Sequence, residues 1–355
     1  NFNNVHRLDA LAGYSYSEDV YDDASMWNAN FPTDYFSYYN MGLGSKLTDG
    51  QASMSSSKNS SKLIGFFGRV SYGYADRYNI LASLRYEGSS KFGDNHKWGA
   101  FPSVSLGWNI MNESFMKSTK SWLNNLKLRA GWGITGVIPG SSYLSLLRYS
   151  YNGGNYYRNG KWNKGLKAAS NPNPDLKWET AREFNVGIDW SVFNDRLSGS
   201  FDYYNKKTSD MLYDYTVPSP PNLYTTTTAN VGEMRNTGFE LMIKGVPVQT
   251  KNWRWETQAT LQHNSNKLLS LSNELYQTDN TQWLQGVGDP VTQYTHRVAV
   301  GESLGQIWSL KAVGVSDQGL FLIENPKTGQ CAEFYQEMRN DYDLSLIHIS
   351  EPTRP

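Results

Sequence analysis

Apolar and polar side chains alternate one by one along nine stretches of this chain, the period of a strand with a single apolar face. The first, Val5 to Ser17, sets Leu8, Ala10, Ala12, Tyr14 and Tyr16 against Arg7, Asp9, Ser15 and Ser17. Ile64, Phe66, Val70, Tyr72 and Tyr74 mark the second, over Leu63 to Ala75, and the third returns at once through Tyr78, Ile80, Ala82, Leu84 and Tyr86. The fourth runs through Pro102, Val104, Leu106, Trp108 and Ile110, and the fifth through Leu126, Leu128, Ala130, Trp132 and Ile134. Phe184, Val186, Ile188 and Trp190 define the sixth, and Leu197, Gly199, Phe201 and Tyr203 the seventh. A last hairpin joins Phe239, Leu241 and Ile243 to Trp253, Trp255, Thr257, Ala259 and Leu261 through a turn around Pro247 and Asn252. A further strand is expected around Ile307 to Val315.

A soluble β-sandwich alternates in the same way, so alternation alone leaves two architectures open. Two regularities separate them. Short connections at Asp76-Arg77, Met111 to Asn125, Asn194-Asp195 and Val246 to Asn252 alternate with long loops. The long ones end near Ser61, or run over Gly88 to Gly99, Gly136 to about Trp178, and Thr208 to Gly232. Short turns on one side and long loops on the other are the asymmetry of outer-membrane barrels. The second regularity is that no Asp, Glu, Lys or Arg falls on the apolar phase within the assigned strands. Arg182 has that phase but lies just outside the sixth strand, where it can snorkel. Lys or Arg at the bilayer midplane of a barrel's lipid face costs about 2–4 kcal/mol, so lipid explains the clean phase better than water does. Aromatics collect where interfaces fall: Tyr74, Tyr78, Trp108, Trp190 and Trp253 near the short turns, Tyr86 nearer the long loops. The fold class predicted is all-β, an antiparallel transmembrane β-barrel.

Composition adds limits. Among 355 residues, 33 basic and 33 acidic side chains cancel, which gives no reason to expect a nucleic-acid partner. No apolar run reaches the length of a membrane-spanning helix. Cys331 is the lone cysteine, so no internal disulfide or cysteine metal cluster forms. The five histidines show no metal-ligand spacing, and no phosphate-binding or nucleophile motif stands in a suitable context. Glu183, Asp189 and Asp202 read as a solvated or salt-bridged lumen wall rather than an acid–base pair. No catalytic residue, cofactor or metal is assigned. The N-terminus is expected to be a cut end. Leu344 to Arg354, LSLIHISEPTR, resembles a translated sequencing adapter, so residues 344–355 are set apart from 1–343 as an artefactual tail.

Several blocks, in order, carry a family resemblance. They are LRYEGSSKFG from Leu84, WGAFPSVSLGWNI from Trp98, LKLRAGWGITG from Leu126, NPDLKWET from Asn173, DRLSGSFDYYNKKTSDML from Asp195 and NVGEMRNTGFEL from Asn230. Through them the chain resembles the SusC/RagA family of TonB-dependent outer-membrane transporters, over most of Asn1 to about Gly329. Glu87, where the family more often has Asp, and Val137, where Asn commonly follows Thr-Gly, depart from the pattern. The resemblance implies a 22-stranded barrel with an N-terminal plug, driven through the TonB complex. It also implies import of an oligosaccharide or peptide substrate, with a SusD-like surface lipoprotein as partner. This chain is expected to be an internal fragment of about 9–12 strands in outer-membrane lipid, without plug or TonB box.

Within the long loops Tyr35, Tyr38, Tyr39, Trp98, Tyr156 and Tyr157 are the candidates for stacking on sugar rings or docking the lipoprotein. Two rival functions are a β-rich carbohydrate-binding module, which needs no clean phase or loop asymmetry, and an outer-membrane enzyme, for which no motif speaks. The barrel reading makes one bulk prediction: the isolated chain aggregates or requires detergent. Size-exclusion chromatography with light scattering checks it, and a monodisperse soluble monomer in plain buffer contradicts it.

Overall fold

The computed structural model describes residues 3, 5–151, 154–285, 294–325, 327–335 and 345–347. Nine strands among them form one antiparallel sheet in chain order. They are β1 (His6–Trp27), β2 (Ser53–Tyr74), β3 (Tyr78–Ser89), β4 (Trp98–Asn109), β5 (Leu123–Val137), β6 (Glu179–Val192), β7 (Leu197–Thr216), β8 (Thr226–Gln249) and β9 (Arg254–Ser270). Each strand pairs with the next, so every interior strand has a ladder on both sides. No helix of the described residues is long and apolar enough to cross a membrane.

The register aligns the apolar phases. One row runs through Leu8, Tyr72, Ile80, Leu106, Ala130, Val186, Tyr203, Phe239 and His263. Leu8, Phe66, Ile80, Leu106, Trp132, Phe184 and Phe201 keep 42–53% of their surface exposed on this face. An apolar face of that extent marks contact with another apolar medium. The buried apolar clusters instead sit near the sheet's ends. Met111, Leu123 and Val192 pack together at the short-turn end, and Phe92, Phe101 and Trp178 at the long-loop end.

The short-turn end is also fastened by polar contacts. Ile110–Asn112 and Ser114–Thr119 form two 3-10 segments in the connection that leads to β5. Between them the Glu113 carboxylate accepts hydrogen bonds from the Tyr78 hydroxyl at 2.7 Å and Trp108 Nε1 at 3.0 Å. Arg77 Nη1 stands 3.4 Å away. The Tyr78 bond first, and the Trp108 bond next, hold the Glu113 carboxyl below the usual carboxylate range. The Asn194-Asp195 turn is wider than the two residues expected. Val192 pairs with Leu197, and Phe193, Asn194 and Asp195 all take positive φ, stabilised by Asn124 Oδ1 accepting from the Asn194 amide at 2.8 Å.

At the other end the strands outrun their predicted limits. Pairing between β1 and β2 continues to Trp27 and Ser53, where the sequence suggested a loop from Ser17 to about Ser61. The loop expected over Thr208 to Gly232 shrinks likewise, because β7 reaches Thr216 and β8 begins at Thr226. Only about 9–11 residues of a tilted strand are needed to cross a bilayer. Beyond them both faces meet water, so the ladder persists while the apolar alternation disappears. Lys58 and Lys62 face Asp22 and Glu18 across this extension, at 3.5 and 3.4 Å.

Around Ile307 to Val315, where at least one further strand is expected, there are two. Gln306–Ser309 joins one small sheet and Lys311–Val315 another. In the suspected tail, Ser345–Ile347 pairs with Gln306–Ser309, while residues 344 and 348–355 lie outside the described residues. The two faces of β4 permit a matched test. Val104→Arg, on the apolar face, should cost about 2–4 kcal/mol, and Ser105→Arg, on the polar face, less than about 1 kcal/mol. Denaturant unfolding from lipid vesicles reads both.

Candidate functional site

The inner face of the wall is built from charges separated by glycine. One cross-strand row reads Arg7, Gly73, Asn79, Gly107, Arg129, Gly187, Asp202, Glu240 and Gln262. Arg129 Nε and Nη2 donate to the two Asp189 oxygens at 2.8 Å each, and Nη2 reaches Asp202 Oδ2 at 3.0 Å. This fork ties β5, β6 and β7 together. Gly187 lies between the partners, and a Cβ there would overlap both Asp202 and the guanidinium. The expected pairing of Asp189 and Asp202 is therefore with arginine, in a wall. Glu183 stands opposite Lys206, and Arg85 meets Glu87 at 2.5 Å. A shallow cavity of about 320 Å³ opens beside Asn79, Lys127, Arg129 and Asn185.

Above the wall the loops are pinned by a small aromatic core. Phe101 has the inward phase of β4, and its ring lies over Gly99 and Gly136, where a Cβ would overlap it. Trp178 packs against it with ring centroids 5.1 Å apart, and against Phe92 at 4.7 Å. The Trp178 indole N–H donates to the Lys97 carbonyl at 3.1 Å. Gly93 and Asn95 donate their backbone amides to the carbonyls of Leu176 and Pro174 at 2.8 and 3.2 Å. The loop after β3 is thereby fixed to the segment entering β6.

Three asparagines fasten that segment to the opposite side. Buried Asn171 donates to the Tyr224 and Thr226 carbonyls at 2.7 and 2.9 Å and accepts from the Tyr224 amide. Asn173 donates to the Thr228 carbonyl at 2.8 Å, and Asn230 bonds both backbone groups of Lys177. These residues stand outside the sequence-derived candidates; the doubled Asn-Pro of NPNP, followed by the later Asn230, is the signal that marks them. Two clefts flank the pinned segment. One of about 540 Å³ is lined by Lys62, Phe92, Asp94, Tyr143 and Pro174, and one of about 710 Å³ by Ile138, Glu179, Tyr213 and Asp214.

The sequence-derived candidates fall in three places. Tyr35, Tyr38 and Tyr39 form an exposed patch at the tip of the β1–β2 hairpin, 71–87% exposed. The Tyr38 and Tyr39 rings are 4.5 Å apart, and the Tyr38 hydroxyl donates to that of Tyr39 at 3.4 Å. Tyr156 and Tyr157 lie on a miniature hairpin of Asn155–Arg158 with Lys161–Lys164, where Tyr157 meets Trp162 edge-on at 5.4 Å. Trp98 has the outward phase of β4 and stacks on Tyr86 at 5.0 Å and Phe66 at 6.3 Å, within the aromatic girdle.

An apolar outer band, a charged inner wall, interface aromatics and tall loops on one rim define an outer-membrane β-barrel. Residues 1–324 match the family described as TonB dependent receptor-like, beta-barrel, and the chain belongs to that family. TonB-dependent receptor P39 of Formosa agariphila is 33% identical over 318 residues, 88% of this chain and 28% of the relative. TonB-dependent receptor SusC of Bacteroides thetaiotaomicron is 34% identical over 235 residues, 65% of this chain and 23% of the relative. The chain thus spans less than a third of these relatives' length. A structure of the RagAB peptide transporter superposes with a TM-score of 0.76 at 27% identity, covering 98% of this chain and 36% of that one. The SusC/RagA resemblance and the outer-membrane location both hold.

The aromatic core yields a prediction. Trp178→Ala should destabilise the docked loops by about 3–5 kcal/mol, while Trp178→Phe, losing chiefly the hydrogen bond, should cost about 1 kcal/mol. Limited proteolysis of residues 138–178 in detergent should accelerate in the same order.

Proposed function

We propose that this chain is wall and extracellular rim of a TonB-dependent importer for oligosaccharides or peptides, working beneath a SusD-like surface lipoprotein. The observation that carries the reading is the two-faced nine-stranded wall, whose inner face is lined with paired charges and whose rim holds preorganised loops. Similarity to SusC and to the RagAB peptide transporter supports the two substrate classes. Energy would enter through the TonB complex, by segments outside this wall.

In this reading the Tyr35, Tyr38 and Tyr39 patch docks the lipoprotein, because it stands at the top of the tallest hairpin and offers flat faces to a protein surface. Tyr156 and Tyr157, with the cleft beside Glu179 and Asp214, meet the solute. Trp98 belongs with the lipid interface and takes no part in either contact. The carbohydrate-binding module is not favoured, since its sheet would have no use for a membrane-wide apolar face. No catalytic role is assigned.

Two measurements on cells carrying the locus test the proposal. Uptake of labelled oligosaccharides or oligopeptides should require the gene and collapse when a protonophore removes TonB energy. Y35A/Y38A/Y39A should lower lipoprotein co-purification by about tenfold, a loss of roughly 1.4 kcal/mol typical of a few aromatic contacts. Uptake of neither class, or uptake indifferent to the protonophore, would overturn the import reading.

A further inference from the structure

Four basic side chains occupy one cross-strand row on the outward phase of β6 to β9. Arg182 stands opposite Lys207, Lys207 opposite Arg235, and Arg235 opposite Lys267. Like charges directly opposite one another in a sheet repel, so such a row is unfavourable unless something anionic bridges it. One carboxylate does so in part: Glu233 meets Lys207 at 2.9 Å. Three cations of the row remain in excess over that acid.

The position of the row identifies what it faces. Val186, Tyr203, Phe239 and His263 form a largely apolar row nearer the membrane centre. Two residues further towards the long loops come Phe184, Asn205, Thr237 and Ser265, mostly polar but uncharged. Two residues further still comes the basic row. Apolar, neutral polar and basic rungs thus succeed one another on the same outer face. The row is eight residues beyond the Trp190, Gly199, Ile243 and Ala259 rung near the short turns. Eight residues span about 26 Å along a strand, or about 20 Å across a bilayer at 40° tilt, which sets the row at the opposite interface. The same rung meets Ile134 on β5 and continues on the first four strands through Ala12, Gly68, Leu84 and Pro102, all uncharged, with Tyr14, Phe66 and Tyr86 two residues further towards the long loops, so the charge is confined to one sector of the wall.

We propose that this row is a lipid-headgroup site: Arg182, Lys207, Arg235 and Lys267 bind the phosphate groups of anionic lipid in the leaflet on the long-loop side. Adjacent side chains in such a row are about 5 Å apart, close enough for two neighbours to share one phosphate. Arginine supplies a fork for phosphate oxygens and lysine a mobile point charge. The site depends on the outer-membrane placement and not on what the barrel imports.

Native mass spectrometry tests it, on the full-length receptor that carries this wall, in neutral detergent micelles doped with equal amounts of a phosphatidic acid and a phosphatidylcholine of matched acyl chains. Retention of phosphatidic acid over phosphatidylcholine is expected at about tenfold or more, given several cations near one anionic surface. R182Q/K207Q/R235Q/K267Q should bring the two lipids to near parity. Neutralising Arg158, Lys161, Lys164 and Lys167 in the long loop removes the same charge and should leave the preference intact. Parity in the unmodified chain overturns the proposal without recourse to any variant. Equal loss in the loop variant overturns it too, and displacement by millimolar inorganic phosphate would assign the row to free phosphate instead of lipid.

Discussion

A peptide group inside a bilayer has no water to bond with, and the wall is organised around that constraint. Each interior strand must carry a ladder on both edges, which makes β1 and β9 incomplete as edges and gives the sheet a reason to close. Once the backbone is committed to one continuous ladder, side chains have only two directions to point, and the solvent on each side selects them. The apolar face therefore replaces the interior core of a soluble protein. Its buried clusters are relegated to the ends, where strands stop and turns or loops need packing of their own.

On the inner face the same ladder forces charges close together, and glycine makes this tolerable. Arg129 reaches across β6 because Gly187 leaves the space between it and Asp202 empty of side chain. The fork costs desolvation that its partial exposure keeps small, so its main return is orientation: three strands share one fixed guanidinium. Above the wall glycine serves a different end. Phe101 lies over Gly99 and Gly136, whose missing side chains leave room for Trp178 to pack edge-on against it and bring the loop after β3 to the segment entering β6. The segment entering β6 is held by packing on one side and by Asn171, Asn173 and Asn230 on the other.

Strand identity and facing were legible in the sequence because two unlike solvents write alternation into the side chains. Strand ends were not, since Ser53 to Ser61 meets water on both faces and carries no alternation, yet pairs through its backbone as firmly as the rest. The wide turn at Phe193 to Arg196 escaped for a related reason: Asn-Asp is a strong local signal for a two-residue turn, and the Asn124 side chain outweighs it from seventy positions away. Exposed loop tyrosines were visible as composition. The asparagine clasps were not, because a polar residue in a polar stretch gives no sign of the backbone it bonds from some fifty positions away.

Register is the information that no single strand contains. Arg182 alone looked like a stray charge at the end of its strand, explained well enough by snorkelling. Lys207, Arg235 and Lys267 each lie in segments that read separately as polar strand ends. Placed by their neighbours' ladders, the four become one cross-strand row. A scattered set of terminal charges needs no explanation beyond solvation, whereas repeated like charges in direct opposition on the membrane-facing side need a counter-charge. Glu233 meets one of them. The imbalance is thus a property of strand pairing, and it follows from the same ladder that satisfies the backbone.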